Sequence, residues 1–283
     1  MLREPSSAVP ERRVVLKSLV GLGAGAFTGL AAYGYTRARH QLEVSRTELA
    51  LAGLPPQLDG LRVALLTDFH RSATVEREDI EHAVALARAE RPDLVVLGGD
   101  YVTRGDRAYV GDAADALARL DASRGVFAVL GNHDDDRDMP AALSRHGITV
   151  LRDARTTVPV GEASLDLVGI RFWTRKPEVI ARLVRGATGF RILLAHDPRR
   201  LTEAADIGIP LVLSGHTHGG QVVLPGMGAV AARKFPVLAG VGRSGDTTIF
   251  VSRGIGTVYV PVRLNCPPEV SLLVLRRAQG REV

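Results

Sequence analysis

The segment LRVALLTDFH at residues 61–70 joins an apolar run to two side chains of metal-ligand type. Val63–Leu66 has the composition and length of a buried strand, and Asp68 and His70 follow it closely. Because sites in open α/β sheets form at strand ends, this order predicts a site beyond the strand. The same order recurs at Leu94–Leu97 with Gly99-Asp100, Val126–Leu130 with Gly131-Asn132-His133-Asp134, Ile192–Leu194 with Ala195-His196-Asp197, and Leu211–Leu213 with Gly215-His216-Thr217-His218.

The sequence between and beyond these runs predicts an α/β fold with two mixed β-sheets packed as a sandwich and flanking helices. Helical periodicity at Glu76–Glu90 and Asp112–Leu120 separates the first three strands, which implies crossover helices and a parallel portion of sheet. The second half is richer in strands. Further helices are predicted at Met139–Arg145 and Pro177–Arg185, and further strands at Leu165–Ile170, Thr248–Ser252, Thr257–Val262 and Val270–Leu275.

The polar residues after the five runs have the chemistry of a two-metal site. Asp68 and His70 are two residues apart, so on extended backbone both side chains would point the same way. Asp100 has two carboxylate oxygens and can bridge two cations. Oxygen and imidazole donors together favour Mn, Fe, Zn or Co over Cu(I) or an iron–sulfur cluster. The seven candidate ligands are Asp68, His70, Asp100, Asn132, His196, His216 and His218.

Two cations ~3.5–4 Å apart activate a bridging water and clamp a phosphoryl oxygen for in-line attack on phosphorus. His133 is not needed as a ligand, so we expect it to donate a proton to the leaving group or to the developing negative charge. Asp134, the next residue, is expected to orient His133. His133 and Asp134 are therefore the candidate catalytic residues.

The order D-x-H, G-D, G-N-H-D, H and G-H-x-H from Asp68 to His218 resembles the calcineurin-like metallophosphoesterase superfamily. The resemblance implies the metallo-dependent phosphatase fold, two divalent metal ions and a catalytic role for His133. It assigns the first metal to Asp68, His70, Asp100 and His218, and the second to Asp100, Asn132, His196 and His216. Thr103 departs from a common variant that has an acid here, but it is not a ligand position.

Three further features look similar to a bacterial subgroup of exported or membrane-associated phosphodiesterase-like enzymes, some with cell-envelope or lipid-A-type substrates. They are the extended GHTHGGQ block at 215–221, the RGIG and PPE segments at 253–256 and 267–269, and a leader at residues 1–45. The resemblance implies a phosphodiesterase acting on a small-molecule or lipid phosphoester. One alternative is a pyrophosphatase on a nucleotide-linked lipid precursor. Another is a metal-binding scaffold without catalysis, which should lack His133 or some ligands.

The leader, residues 1–45, resembles a twin-arginine export signal because Arg12-Arg13 precede Leu16, Lys17 and an uncharged stretch from Ser18 to Thr36. We expect export by the twin-arginine machinery to the cell envelope. A retained membrane anchor with membrane association through residues 18–36 is the competing interpretation, since this stretch is just long enough to span a bilayer. Residues 46–60 are predicted as a linker and 61–283 as the metallophosphoesterase domain.

The charge distribution argues against a nucleic-acid partner. The net charge is +5, but residues 1–46 carry seven basic and three acidic side chains, so the excess belongs to the leader. The body has no overall basic bias, and we expect no nucleic acid to bind. Cys266 is the single cysteine, which excludes an intrachain disulfide. The absence of a P-loop and of a G-x-S-x-G motif argues against a kinase or a serine hydrolase.

Overall fold

Two six-stranded β-sheets form the centre of the protein in a computed structural model that describes residues 12–231 and 234–278. Two further strands pair with each other outside these sheets. The strands are β1 Glu43–Leu51, β2 Arg62–Leu66, β3 Leu94–Leu97, β4 Val126–Ala128, β5 Thr149–Val150, β6 Ala154–Val160, β7 Ala163–Gly169, β8 Phe190–Leu194, β9 Leu211–Ser214, β10 Val223–Leu224, β11 Gly228–Ala229, β12 Gly240–Ser244, β13 Thr247–Val251 and β14 Glu269–Arg277.

The first sheet has the order β1-β14-β2-β3-β4-β5, and the second has the order β12-β13-β9-β8-β7-β6. Strands β2 to β5 run parallel to one another, as do β13, β9, β8 and β7. Both sheets are mixed because β14 is antiparallel to β2, and β6 to β7. The helices are α1 Arg12–Thr36, α2 Arg77–Ala89, α3 Val110–Leu117, α4 Asp138–Ser144, α5 Pro177–Val184 and α6 Leu201–Asp206.

The apolar core has three layers, and the alternation of strand side chains builds them. Leu65 of β2 faces the second sheet and packs in the same cluster as Leu194 and Leu213. Leu66, the next residue, faces the opposite way into a cluster with Ile80 of α2. The outer face of the second sheet is covered by α5 and α6. This confirms the predicted α/β sandwich of two mixed sheets with flanking helices.

The first sheet begins at Glu43, within the segment predicted as leader and linker. Strand β1 pairs in parallel with β14 from Glu43 opposite Glu269 to Leu51 opposite Arg277. Its apolar residues alternate, and Leu49 and Leu51 are each only 1% exposed. Because alternate side chains of a strand point to the same face, this pattern buries one face of the edge strand β1. The folded unit therefore includes residues that the predicted boundary at 61 leaves out.

The predicted strand at Thr257–Val262 is wrong, since this segment is a loop. Tyr259 has φ of +60°, outside the extended region, and Pro261 has no N–H to give to a sheet. Hydrogen bonds from the side chain of Gln221 take the place of strand pairing in this segment. Its Oε1 accepts from the Val258 amide at 3.0 Å, and its Nε2 donates to the Val260 carbonyl at 2.6 Å.

Helix α1 contains most of the predicted leader, and residues 1–11 of that leader lie outside the described residues. Val20, Leu22 and Phe27 are largely exposed along the helix. The end of α1 contacts the body, because the Gly34 carbonyl accepts from the Arg263 amide at 3.2 Å. Among the helices described here, none is both long and apolar enough to cross a membrane.

Candidate metal centre

The seven candidate ligands come together where the two sheets meet. Strands β2, β3 and β4 are parallel neighbours, so the segments that follow them leave the first sheet at one edge. Strands β8 and β9 are parallel neighbours in the second sheet and bring the remaining histidines to the same place. His196 links the sheets directly, because its Nδ1 donates to the Gly98 carbonyl at 2.8 Å.

Six of the seven ligands form two clusters that meet at one carboxylate. One contains Asp68, His70 and His218, the other contains Asp100, His196 and His216, and the donor atoms within each lie within 4.8 Å of one another. Asp100 Oδ2 is 3.1 Å from His196 Nε2 and 3.5 Å from His70 Nε2. Asp100 therefore lies within reach of both clusters, where a shared ligand would have to be.

The orientation of the donor atoms fits divalent metal ions. His70 Nε2 and His218 Nε2 face each other at 3.1 Å, an arrangement that a cation between them would stabilise. The bond from His196 Nδ1 to Gly98 leaves Nε2 pointing into the site. Asn132 lines the same cleft, and within the described part of the chain its buried Oδ1 has no hydrogen-bond partner. A metal ion would satisfy this oxygen.

The electrostatics of the site also suit metal binding. Burial lowers the pKa of His70 to about 3 and the pKa of His216 to about 4, so both imidazoles are neutral near pH 7. Neutral imidazole is the form that binds a metal. Burial opposes ionisation of Asp100, but His196 beside it holds the pKa of Asp100 well below its usual value. The centre thus combines neutral imidazoles at His70 and His216 with a negative charge at Asp100, and against the effect of burial this charge raises the pKa of His196 to about 10.

Five of the ligands have backbone conformations that non-glycine residues rarely adopt. The φ angles are +57° at Asp68, +52° at His70, +57° at Asp100, +73° at His216 and +52° at His218. The expectation that Asp68 and His70 lie on extended backbone is therefore wrong. Such left-handed residues are strained and concentrate at functional sites, where the surrounding structure holds them.

Two glycines allow the close backbone approach around Asp100. Gly99 has φ of +99°, and a Cβ there would overlap the backbone of Gly131. A Cβ on Gly131 would in turn overlap the Asp100 carboxylate. A side chain at either position would displace Asp100, the candidate bridging ligand. Both positions therefore require glycine.

His133 is held by a backbone amide. Its Nδ1 accepts from the Arg104 N–H at 3.0 Å, and its ring lies 5.0 Å from the ring of His70. Asp134 has a different set of partners, since its carboxylate accepts from the amides of Gly131, Asp100 and Tyr101 at 2.6–2.8 Å. The orienting role predicted for Asp134 is therefore filled by the Arg104 amide, and Asp134 fixes the turns that carry Asp100 and His133.

A buried arginine supports the centre from behind. Arg263 is fully buried, and its guanidinium donates to the carbonyls of Arg253, Gly254, Gly256 and Cys266 at 2.6–3.2 Å. It also lies 3.5 Å from His218 Nδ1. Burial lowers the pKa of Arg263 to about 10, which leaves it charged near neutral pH. Sequence reasoning missed this residue, because nothing adjacent to it in the chain marks a site.

The centre opens into a cleft of about 760 Å³ with an apolar wall. Tyr259 lies beside His133, with 5.8 Å between the two ring centroids. Phe235 lies beside His216, with 5.1 Å between their rings. Sequence reasoning did not place Val258, Tyr259 and Val260 at the site, because they fall within the mispredicted strand.

Residues 61–220 match the family model of the calcineurin-like phosphoesterases. YkuE, an uncharacterized metallophosphoesterase of Bacillus subtilis, is 30% identical over 278 residues, covering 94% of this chain and 97% of that protein. Phosphodiesterase YaeI of Escherichia coli is 34% identical over 228 residues, covering 76% and 82%. A Danio rerio transmembrane protein with a metallophosphoesterase domain is 32% identical over 274 residues, covering 88% and 61%. By this match, and with its ligand clusters at the ends of two mixed sheets, the chain belongs to the calcineurin-like phosphoesterase family.

Proposed function

We propose that this protein is a phosphodiesterase that works with two divalent metal ions. The observation that carries the proposal is the pair of ligand clusters that meet at Asp100. The similarity to phosphodiesterase YaeI supports a diester over a monoester. The presence of His133 and of all seven candidate ligands argues against the scaffold alternative, which should have lost some of them.

Metal ions held by these two clusters would supply an activated water and polarise the phosphoryl oxygen. The chain itself supplies the proton for the leaving group. Because Nδ1 of His133 accepts from the Arg104 amide, a neutral His133 carries its proton on Nε2. His133 then donates this proton to the departing oxygen as the phosphorus–oxygen bond breaks, and it regains a proton from the water that attacks phosphorus.

The reaction class is tested with a panel of esters on metal-reconstituted protein. Protein loaded with Mn²⁺ or Zn²⁺ should hydrolyse an activated aryl phosphodiester faster than the matching monoester, and excess chelator should abolish the activity. Preferential cleavage of a nucleotide-linked lipid pyrophosphate would replace the phosphodiesterase assignment with the pyrophosphatase alternative. No turnover of any mono-, di- or pyrophosphate ester would leave the scaffold interpretation.

We further propose that the protein is exported by the twin-arginine machinery and acts in the cell envelope, with α1 associated with the membrane. The arginine pair before an uncharged stretch supports export, and the exposed apolar side chains of α1 support membrane association. The Danio rerio relative is described as a transmembrane protein, which also favours a membrane location. Replacing Arg12 and Arg13 by lysine should block export, which cell fractionation measures. An unchanged distribution would contradict the proposal.

A further inference from the structure

The apolar side chains in the wall of the cleft are more exposed to solvent than is usual for large apolar residues. Tyr259 is 72% exposed, Val260 56% and Val230 55%. All three line the same cleft as His133 and the metal ligands. Scattered exposed apolar residues are normal, but a contiguous group in a concave site indicates an apolar binding partner.

The segment Val258–Val260 is held in this exposed position. Gln221 binds the backbone on both sides of Tyr259, through the Val258 amide and the Val260 carbonyl. Tyr259 itself has φ of +60°, which is unfavourable for an aromatic residue. A strained and solvent-exposed aromatic that neighbouring bonds hold in place points to a function for its side chain.

The position of this wall relative to His133 indicates which part of a substrate it contacts. The Tyr259 ring lies 5.8 Å from the His133 ring, with the Arg104 guanidinium 5.6 Å from the centre of the tyrosine. His133 is the proton donor to the departing oxygen in the proposed reaction. The alcohol that departs from phosphorus would therefore lie against Tyr259.

We propose that Val258, Tyr259 and Val260 form a subsite for a hydrocarbon chain on the departing alcohol, so that the substrate class is a lipid-like phosphodiester. This rests on the proposed function. Water adds its hydroxyl group to phosphorus and releases its other proton, the bond to the alkyl-bearing oxygen breaks, and that oxygen takes the proton from His133, which regains the proton released by water. The alkyl alcohol and a phosphomonoester are the products.

Methyl alkyl phosphate diesters test the subsite, because either alcohol can depart. With metal-loaded wild-type protein, mass spectrometry should find the longer alcohol released over methanol, and the ratio should rise about fourfold for each methylene that the subsite buries. Tyr259→Asn removes the ring with a residue that tolerates positive φ, and Val260→Ser removes the branched side chain. In both variants the ratio should depend much less on chain length.

Val241→Ser is the matched control, since Val241 is 46% exposed on β12 and does not line the cleft. It should keep the wild-type ratio. A wild-type ratio that is independent of chain length, or unchanged in both cleft variants, would overturn the subsite while leaving the phosphodiesterase function intact. If no ester is hydrolysed but alkylphosphonates bind more tightly with each methylene, and less so in the variants, the proposed function fails and the subsite stands.

Discussion

Asp100 belongs to one ligand cluster and contacts the other, and its surroundings leave little freedom for its carboxylate. Its Oδ1 accepts from the His133 amide at 2.8 Å, while Oδ2 faces His70 and His196. Its own amide donates to Asp134 at 2.8 Å. The residue that both metals would share is thus also the residue that positions His133, so binding and proton transfer depend on the same turn.

A single substitution can separate the catalytic role of His133 from metal binding. His133→Gln should lower kcat by about 10²–10⁴, the usual contribution of a general acid, because the departing oxygen loses its proton donor. The metal content should stay at the wild-type value, since His133 is not a candidate ligand. Steady-state kinetics with metal analysis of the same sample checks both expectations.

His146→Gln is the control for this substitution, because His146 pairs with Asp115 on the surface at 2.8 Å and lies outside the cleft. It should leave kcat unchanged. If His133→Gln turns over as fast as the wild-type protein, or if it loses metal, the assignment of His133 as proton donor is wrong.

At the residue scale, the sequence predicts which side chains meet but not how they are held. The ligand types stand directly after apolar runs, so Asp68, Asp100 and His196 are visible in the sequence. The left-handed backbone at Asp68 and Asp100 is not, because it depends on contacts from loops far along the chain. The Arg104 amide leaves no trace in the side-chain pattern, so the sequence alone points to the neighbouring Asp134 as the residue that orients His133.

At the scale of elements, the first residue of β14 forms an ion pair that connects the first sheet to the loop behind the metal centre. Glu269 is buried, and it accepts from the Arg253 amide at 2.8 Å and from the Arg253 guanidinium at 2.7 Å. Burial would raise the pKa of Glu269, but these bonds to Arg253 hold it below the ordinary value of 4.5. The neighbouring Gly254 carbonyl accepts from Arg263, so the ion pair and the buried arginine fix the same loop.

The Glu269–Arg253 pair predicts a pH-dependent stability. Because the folded pKa lies below the unfolded value of 4.5, its stabilisation is present above pH 4.5 and is lost as the pH falls through the folded pKa. Glu269→Gln should lower the free energy of unfolding at neutral pH by about 3 kcal/mol, the cost of breaking a buried pair. The difference in Tm between the two proteins should narrow below pH 4.5.

Glu48→Gln provides the control, since Glu48 forms an exposed pair with Arg276 at 2.7 Å on the same sheet. Exposed pairs contribute little, so its Tm should stay close to the wild-type value at every pH. A Tm difference for Glu269→Gln that stays constant from neutral to acid pH would contradict the account of this pair.

Helices and strands with strong hydrophobic periodicity are predicted correctly. The prediction fails where the same local pattern is compatible with either a strand or a loop. The alternating apolar residues of 257–262 have a strand pattern, but Pro261 and the side chain of Gln221 divert the segment into a loop. Strand β1 was missed for the opposite reason. Its alternating residues follow directly on an apolar leader, and their partner β14 lies more than two hundred residues away in the sequence.

For the whole molecule, the structure places the boundary of the folded unit within the leader. Arg39 donates to the Thr74 carbonyl at 2.6 Å, and His40 lies 2.8 Å from Asp79. Strand β1 then covers the edge of β14. Before this region, residues 20–30 of α1 are exposed.

Two truncations test where the leader ends and the folded unit begins. Removal of residues 1–31 should leave Tm within about 2 °C of the wild-type value, because the α1 side chains described at residues 20–30 are exposed and bury little apolar surface. Removal of residues 1–52 deletes β1, exposes β14 as a new edge, and should cause unfolding or aggregation. Thermal unfolding with light scattering measures both. A stable, monomeric protein without β1 would contradict the boundary at Glu43.

The central claim is that this chain holds two metal ions that share Asp100, and metal stoichiometry tests it most directly. Protein loaded with Mn²⁺ or Zn²⁺ and freed of excess ions is analysed by mass spectrometry against protein concentration, alongside Asp100→Asn. We predict about two ions per wild-type chain, the number a shared-carboxylate centre requires, and a clear loss in the folded variant. One ion or fewer in the wild-type protein, or two retained in Asp100→Asn, would contradict the account.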